Sequence, residues 1–193
     1  MTDADPHDIL RTDPVMAGLV DTHGPLTVQP ADDEFRRLVV SIVNQQLSTA
    51  SASAIRERLF DHLGDVTPAA ILDADTEALR ETGLSGTKVE YLRNAARAFE
   101  ERDLTRAGLA DHPDDAVVDE LTRIRGVGEW TAEMYLLFVL GREDVLPLGD
   151  LAIRRGLEDL YGCDSREEMR EVAAAWRPYR SYGTRYVWAH YES

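Results

Sequence analysis

The sequence predicts an all-α protein, with two helical lobes arranged around one cleft. Three observations carry that expectation. Apolar residues return with a 3.6-residue period through most of the chain. The only strand-like scrap is the short "LTVQP" at Leu26 to Pro30. Turn chemistry interrupts the chain often, with no long linker, fixed-period repeat or low-complexity segment.

Taken in order, "HGP" at His23 to Pro25 ends a first helix. Phe35, Leu38, Val39, Ile42 and Val43 form the stripe of the next helix, and Gln46 extends that stripe with a polar residue. "GDVTP" (Gly64 to Pro68) and "GLSG" (Gly83 to Gly86) are breaks. Val89, Leu92, Ala95, Ala96 and Phe99 then line the helix carrying Lys88. "DHPDD" (Asp111 to Asp115) precedes a helix with Val117, Val118, Leu121 and Ile124 inward. Trp130, Met134, Leu137 and Phe138 begin another face, and Asp150 stands at the mouth of "LAIRRGLEDLYG". An aromatic-rich tail follows, with Trp176, Tyr179, Tyr182, Tyr186, Trp188 and Tyr191 mostly at core spacing. About ten helices are expected. One lobe spans about 33–128, and the other combines about 1–32 with 129–193, within one domain.

Composition narrows the class. A chain of 193 residues can bury a core without staples. Its one cysteine, Cys163, excludes an intramolecular disulfide framework and any four-cysteine zinc or iron–sulfur site of its own. That usage fits a reducing cytoplasm. The start "MTDADPHDILRTDP" lacks a basic and apolar leader, and the densest apolar run, Met134 to Leu140, is too short to span a bilayer. The five histidines show no ligand spacing.

Net charge is −15, from 36 acidic and 21 basic residues, yet Lys88 is the only lysine. Abundant carboxylates with almost no lysine resemble the cytoplasmic proteome of a salt-accumulating halophile; GC-rich coding is the rival explanation. At molar salt the Debye length shrinks to about 3 Å, so acidity no longer argues against a nucleic-acid partner.

Two local features bear chemistry. Only Arg125 to Gly128 separates two helices, and so tight a link calls for glycine's backbone freedom. It also leaves N–H groups of the second helix pointing outward, a phosphate site. A plain helical hairpin with glycine caps is the alternative. Asp150 is a helix cap by position, and a carboxylate at a helix N-terminus is held ionised by the dipole and the N–H groups. A fixed carboxylate can stabilise an oxocarbenium-like sugar; a cap with no further role is the alternative. Gln46 is read either as a buried amide satisfied by backbone or as a functional residue.

"LTRIRGVGEWTA" resembles the helix-hairpin-helix DNA-binding element. With the Asp of "LPLGDLAIRRG", it matches the helix-hairpin-helix (HhH-GPD) DNA glycosylase superfamily, and within it the compact form of the 3-methyladenine DNA glycosylase II branch. "SIVNQQLSTASASAI", "GLSGTKVEYLRNAARAF" and "WRPYRSYGTRYVW" agree with further segments of that branch, in order, over roughly residues 13 to 190.

The resemblance implies that Gly126, Val127 and Gly128 hold the DNA backbone. Gln46, and after it Leu47, fill the gap left by an extruded nucleotide. Trp130 and Trp188 form the base pocket, and Asp150 is the catalytic carboxylate. No cofactor is required; a structural Na⁺ or K⁺ would rest on hairpin carbonyls, Ile124's among them. Lyase relatives carry a lysine two residues after the second hairpin glycine. Here Trp130 stands there, so Schiff-base chemistry is not expected. The implied protein is a monomer that acts on double-stranded DNA with damaged bases, without a membrane. It excises alkylated purines such as 3-methyladenine and 7-methylguanine. Two rival readings remain: a non-catalytic protein that binds DNA structure through the hairpin, and an acidic protein-interaction surface in which the hairpin is packing.

Overall fold

The computed structural model describes residues 5–193; the first four residues of the stretch read for a leader lie outside them. Among the described residues every regular element is helical. The chain divides into two compact units, residues 31–140 and residues up to Pro30 together with 141–193.

The unit of residues 31–140 holds α3 (Glu34–Asn44), α4 (Thr49–Leu63), α5 (Pro68–Asp73), α6 (Thr76–Glu81), α7 (Gly86–Glu101), α8 (Asp114–Thr122) and α9 (Glu129–Phe138). The predicted stripe of α3 is buried from Phe35 to Val43 and packs on α4, α7 and α9. Phe99 of α7 meets Phe35 edge-on at 5.1 Å and Tyr135 of α9 at 6.3 Å. Helix α9 therefore lies with α3 and α8. The unit ends at Leu140 rather than at the anticipated 128, because the α9 core residues Ala132, Tyr135, Leu136 and Leu137 are buried there.

The other unit holds α1 (Pro6–Leu10), α2 (Pro14–His23), α10 (Leu151–Tyr161), α11 (Arg166–Ala173), a 3₁₀ turn (Ala174–Trp176) and α12 (Arg180–Tyr191). Trp176 and Tyr186 are fully buried at its centre with Leu10, Met16, Ile153 and Leu157. The carboxylate of Asp13 caps α2 through the N–H groups of Val15 and Met16. It also accepts from the Tyr161 hydroxyl (2.8 Å) and the Trp176 indole (3.2 Å). Burial, and then that carboxylate, push the Tyr161 phenol well above its ordinary range.

"LTVQP" forms no strand. A single short extended segment has no partner to pair with, and the Leu26 N–H is taken by the Tyr186 hydroxyl at 3.0 Å. Twelve α-helices appear among the described residues instead of about ten. α1 and α2 are separate turns, each with its own Asp cap and Pro start, and α5 and α6 are split at Ala74 and Asp75. Part of the chain's acidity serves these ends. Asp5, Asp13, Asp33, Asp75 and Asp150 each cap a helix through a side-chain oxygen, typically worth about 1 kcal/mol apiece.

Candidate functional site

The hairpin is built from the inside out. Val127 and Ile124 are buried, and the Val127 N–H donates to the Ile124 carbonyl at 2.9 Å, closing the turn. Val127 is thus an anchor whose side chain faces the core, so any contact from it outward must be made by its backbone. Gly126 is obligatory: its φ is +106°, and a β-carbon there would lie 2.2 Å from Cγ of Tyr91. Gly128 is different. Its φ is −96°, and a β-carbon would meet nothing within 4 Å. The expectation that both glycines serve the turn is therefore half corrected: the fold itself demands only Gly126. Gly128 is the N-cap of α9, is exposed, and has no side chain with which to cap it.

The turn after α3 departs from the sequence reading. The helix stops at Asn44, so Gln46 is not on its apolar stripe. Gln46 is exposed with φ +57°, a conformation L side chains resist, and Leu47 beside it is exposed as well. The amide satisfied by backbone is that of Gln45. Its Nε2 donates to the Gly126 carbonyl and to Oγ1 of Thr131, each at 2.9 Å. Lys88 Nζ donates to the carbonyls of Val43 (2.6 Å) and Gln45 (2.8 Å). Asn94 Nδ2 donates to the Arg125 carbonyl at 3.1 Å. Desolvation holds the Lys88 ammonium below its ordinary pKa. Sequence reasoning missed Gln45, Lys88 and Asn94; the one lysine in an arginine-rich chain was the available signal.

Asp150 is the N-cap of α10, as expected. Its Oδ1 accepts from the Ile153 N–H at 3.1 Å and from the Trp188 indole at 3.3 Å. The loop before it is pinned. Arg154 donates to the carbonyls of Leu148 and Gly149, both at 2.9 Å. Ser181 Oγ receives the Val145 N–H and donates to the Arg142 carbonyl. Arg180 holds Asp144 at 2.6 and 3.0 Å. Arg180 and Ser181 thus shape the approach to Asp150. Trp130 is half-buried in the first turn of α9, in the unit that carries the hairpin and Gln46; Asp150 and Trp188 belong together in the other unit. Among the described residues no group of three or more His, Cys, Asp or Glu could hold a metal. No helix there is long and apolar enough to cross a membrane.

The model of the HhH-GPD superfamily of base excision DNA repair proteins matches residues 39–180, from within α3 through the hairpin and Asp150. The chain belongs to this superfamily. As an HhH-GPD protein it has solved relatives of the same fold and size. A DNA-3-methyladenine glycosidase from Bacillus halodurans is 34% identical with a TM-score of 0.83, covering 100% of this chain and 91% of that one. A Schizosaccharomyces pombe 3-methyladenine DNA glycosylase, solved in complex with abasic DNA, is 27% identical with a TM-score of 0.87, covering 98% of each. A curated S. pombe protein, DNA-3-methyladenine glycosylase 1, is 31% identical and covers 88% of this chain and 78% of its own length.

Proposed function

We propose that this HhH-GPD protein is a monofunctional DNA glycosylase that extrudes alkylated purines from duplex DNA and hydrolyses their bond to the sugar. The observation that carries this reading is the pairing of Asp150 with Trp188. A cap carboxylate that also accepts an indole N–H is fixed in place, as preorganised stabilisation of a sugar cation requires. Membership of a base excision repair superfamily and the names of the relatives above support the reaction class.

In this reading Gly126, Val127 and Gly128 offer backbone N–H groups to a phosphate. Gln46, with Leu47 beside it, fills the vacated stack. Trp130 and Trp188 present aromatic faces to the extruded base. Alkylation at N3 or N7 gives the purine a positive charge. The C1′–N9 bond breaks with its electron pair going to the base, which departs neutral. The oxocarbenium left on the sugar sits against Asp150, and water adds at C1′ and sheds a proton, leaving an abasic site. A cationic ring also stacks favourably on electron-rich tryptophan faces.

The lyase alternative needs an amine nucleophile. Trp130 occupies the position where lyase relatives carry one, and the sole lysine donates to two carbonyls beside Gln46. A monovalent cation at the hairpin fits the second lone pair of the Ile124 carbonyl, the first being used by Val127. Such an ion would neutralise charge beside the phosphate. We further take the protein to be a monomer, and on the strength of its composition to be cytoplasmic and adapted to high salt.

The test is release of 3-methyladenine and 7-methylguanine from methylated duplex at high KCl. Asp150→Asn keeps a good cap residue and is expected to lower release by about 10²–10³-fold without unfolding. Equal release by both proteins would remove Asp150 from the chemistry. No release by either would favour the DNA-structure-binding reading. A borohydride-trapped adduct would contradict the monofunctional assignment.

A further inference from the structure

We infer that Gln45 and Lys88 are positioning residues that lock the Gln46 turn to the hairpin backbone, so that the residue entering the duplex and the donors gripping the strand form one rigid body. This rests on the roles proposed above for Gln46 and the hairpin.

Backbone strain marks this turn. Gln46 is the only described non-glycine residue with positive φ. Such a conformation persists when its surroundings over-determine it, and it gathers at functional positions. Here the surroundings are specific. α3 ends with carbonyls that have no helical partner, and Lys88 reaches from α7, 45 and 43 residues away, to bind the carbonyls of Val43 and Gln45 at 2.6 and 2.8 Å. These carbonyls flank the point where the chain leaves the helix and turns into Gln46.

The side chain of Gln45 then crosses to the hairpin. Its amide nitrogen carries two hydrogens, and both are used, on the Gly126 carbonyl and on Thr131 Oγ1. A carbonyl only accepts, so the partner at Gly126 fixes which end of the amide faces it. The two anchor points bracket Gly128: one lies two residues before it, the other three residues after it, in the first turn of α9. Thr131 itself is buried. Asn94 secures the neighbouring Arg125 carbonyl. The turn that bears the wedge and the helix start that bears the phosphate donors are thus joined through one residue.

The residue choices fit the task. Lysine offers a compact ammonium with three donors, whereas arginine's planar fork suits paired oxygens in one plane. A chain that uses arginine everywhere else keeps its single lysine at this junction. None of these bonds is made to a carboxylate, so salt has no ion pair to weaken here.

The experiment uses the full chain and three duplexes: undamaged, with a tetrahydrofuran abasic-site analogue, and with 7-methylguanine. Gln45→Ala, Gln46→Ala and the double variant form a cycle. Gln45→Ala is expected to bind undamaged duplex within about threefold of wild type. Its preference for the abasic-site duplex and its single-turnover excision should each fall by about tenfold, a coupling typical of contacting residues. Adding Gln46→Ala to Gln45→Ala should then change either by less than about threefold, because Gln45 acts through Gln46. Multiplicative losses in the cycle would overturn the inference, as would equal loss of binding to undamaged and abasic-site duplex.

If Gln45→Ala does not fold, Thr131→Val removes one of its two anchors at equal shape. It should show the same selective loss at smaller amplitude, and no selective loss would overturn the inference. Lys88→Met, with Gln45 intact, is expected to follow the same pattern. A wild type that excises nothing would sink the glycosylase reading alone, since the binding cycle on the abasic-site duplex still decides the coupling.

Discussion

Substituting alanine at each hairpin glycine should have opposite consequences, and the geometry says how large. At Gly126 the new β-carbon would lie 2.2 Å from Cγ, 2.5 Å from Cδ1 and 2.6 Å from Cβ of Tyr91, well inside any real contact. Relieving that overlap is an overpacking problem, about 1–3 kcal/mol. The backbone at φ +106° adds roughly 1–2 kcal/mol for a residue with a β-carbon. Gly126→Ala should therefore lose about 2–5 kcal/mol. At roughly 2–4 °C per kcal/mol for a chain of this size, the melting temperature should fall by about 4–20 °C. Gly128→Ala meets open space at an ordinary φ of −96°, so its cost is limited to cap preference, at most about 1 kcal/mol. On the proposed reading, its methyl group would instead crowd a phosphate approaching the α9 N–H groups. Urea denaturation and duplex-DNA titration at fixed high KCl separate the two effects. Gly126→Ala should move the denaturation midpoint, whereas Gly128→Ala should leave it nearly unchanged and weaken DNA binding by about tenfold or more. A Gly126→Ala protein as stable as wild type would refute the packing argument. A Gly128→Ala protein with unaltered DNA affinity would refute the hairpin as the grip.

Three other substitutions probe the second unit. Trp188→Phe keeps an aromatic face but removes the indole N–H from Asp150; a hydrogen bond to a charged group is worth about 1.5–3 kcal/mol, so excision should drop by roughly tenfold or more, and an unchanged rate would leave Trp188 a stacking residue only. Tyr161 has a raised phenol pKa in the folded state, so above pH 10 the unfolded chain releases its proton first and stability falls as pH rises. Tyr161→Phe should flatten the decline in urea midpoint above pH 10 while lowering the plateau by about 1–2 kcal/mol through loss of the Asp13 bond; an unaltered alkaline slope would disprove the assignment. Gly18 lies exposed inside α2 with nothing near its would-be β-carbon; Gly18→Ala should raise stability by roughly 0.5–1 kcal/mol, and a lower melting temperature would contradict it.

What was legible in the sequence obeys local rules. Asp150 announced itself as a cap because capping is decided within four residues, and Ser48, Ser85, Asp75 and Ser165 follow the same rule. The inward stripe of α3 was legible from Phe35 to Val43 because burial follows helical period. Where α3 ends was not. Period alone carried the helix on to Gln46, but the carbonyls at its end are taken by Lys88, more than 40 residues away. The same kind of distance hid the exchange of roles between Gln45 and Gln46, and the bond from Trp188 to Asp150 across 38 residues. Nor could sequence tell Gly126 from Gly128, since the difference is the positive φ of Gly126 and the ring of Tyr91 packed against it.

The acidic charge and the proposed DNA partner are reconciled by how the cations are employed. Arg58, Arg93, Arg106, Arg154 and Lys88 donate to backbone carbonyls of this chain, at Thr82, Ala74, Ala31 and Val139, Leu148 and Gly149, and Val43 and Gln45. Arg180 is bound to Asp144. Cations committed in this way hold the fold and do not neutralise phosphates. Counterion release, and with it the steep loss of affinity in salt, scales with the phosphates met by Lys and Arg. A grip based instead on helix N–H groups and aromatic stacking releases fewer counterions, so its affinity declines less as salt rises. The net charge of −15 therefore fits the means of binding proposed above, a backbone clamp at Gly126 to Gly128 with a wedge at Gln46 and stacking tryptophans, better than it fits a basic surface.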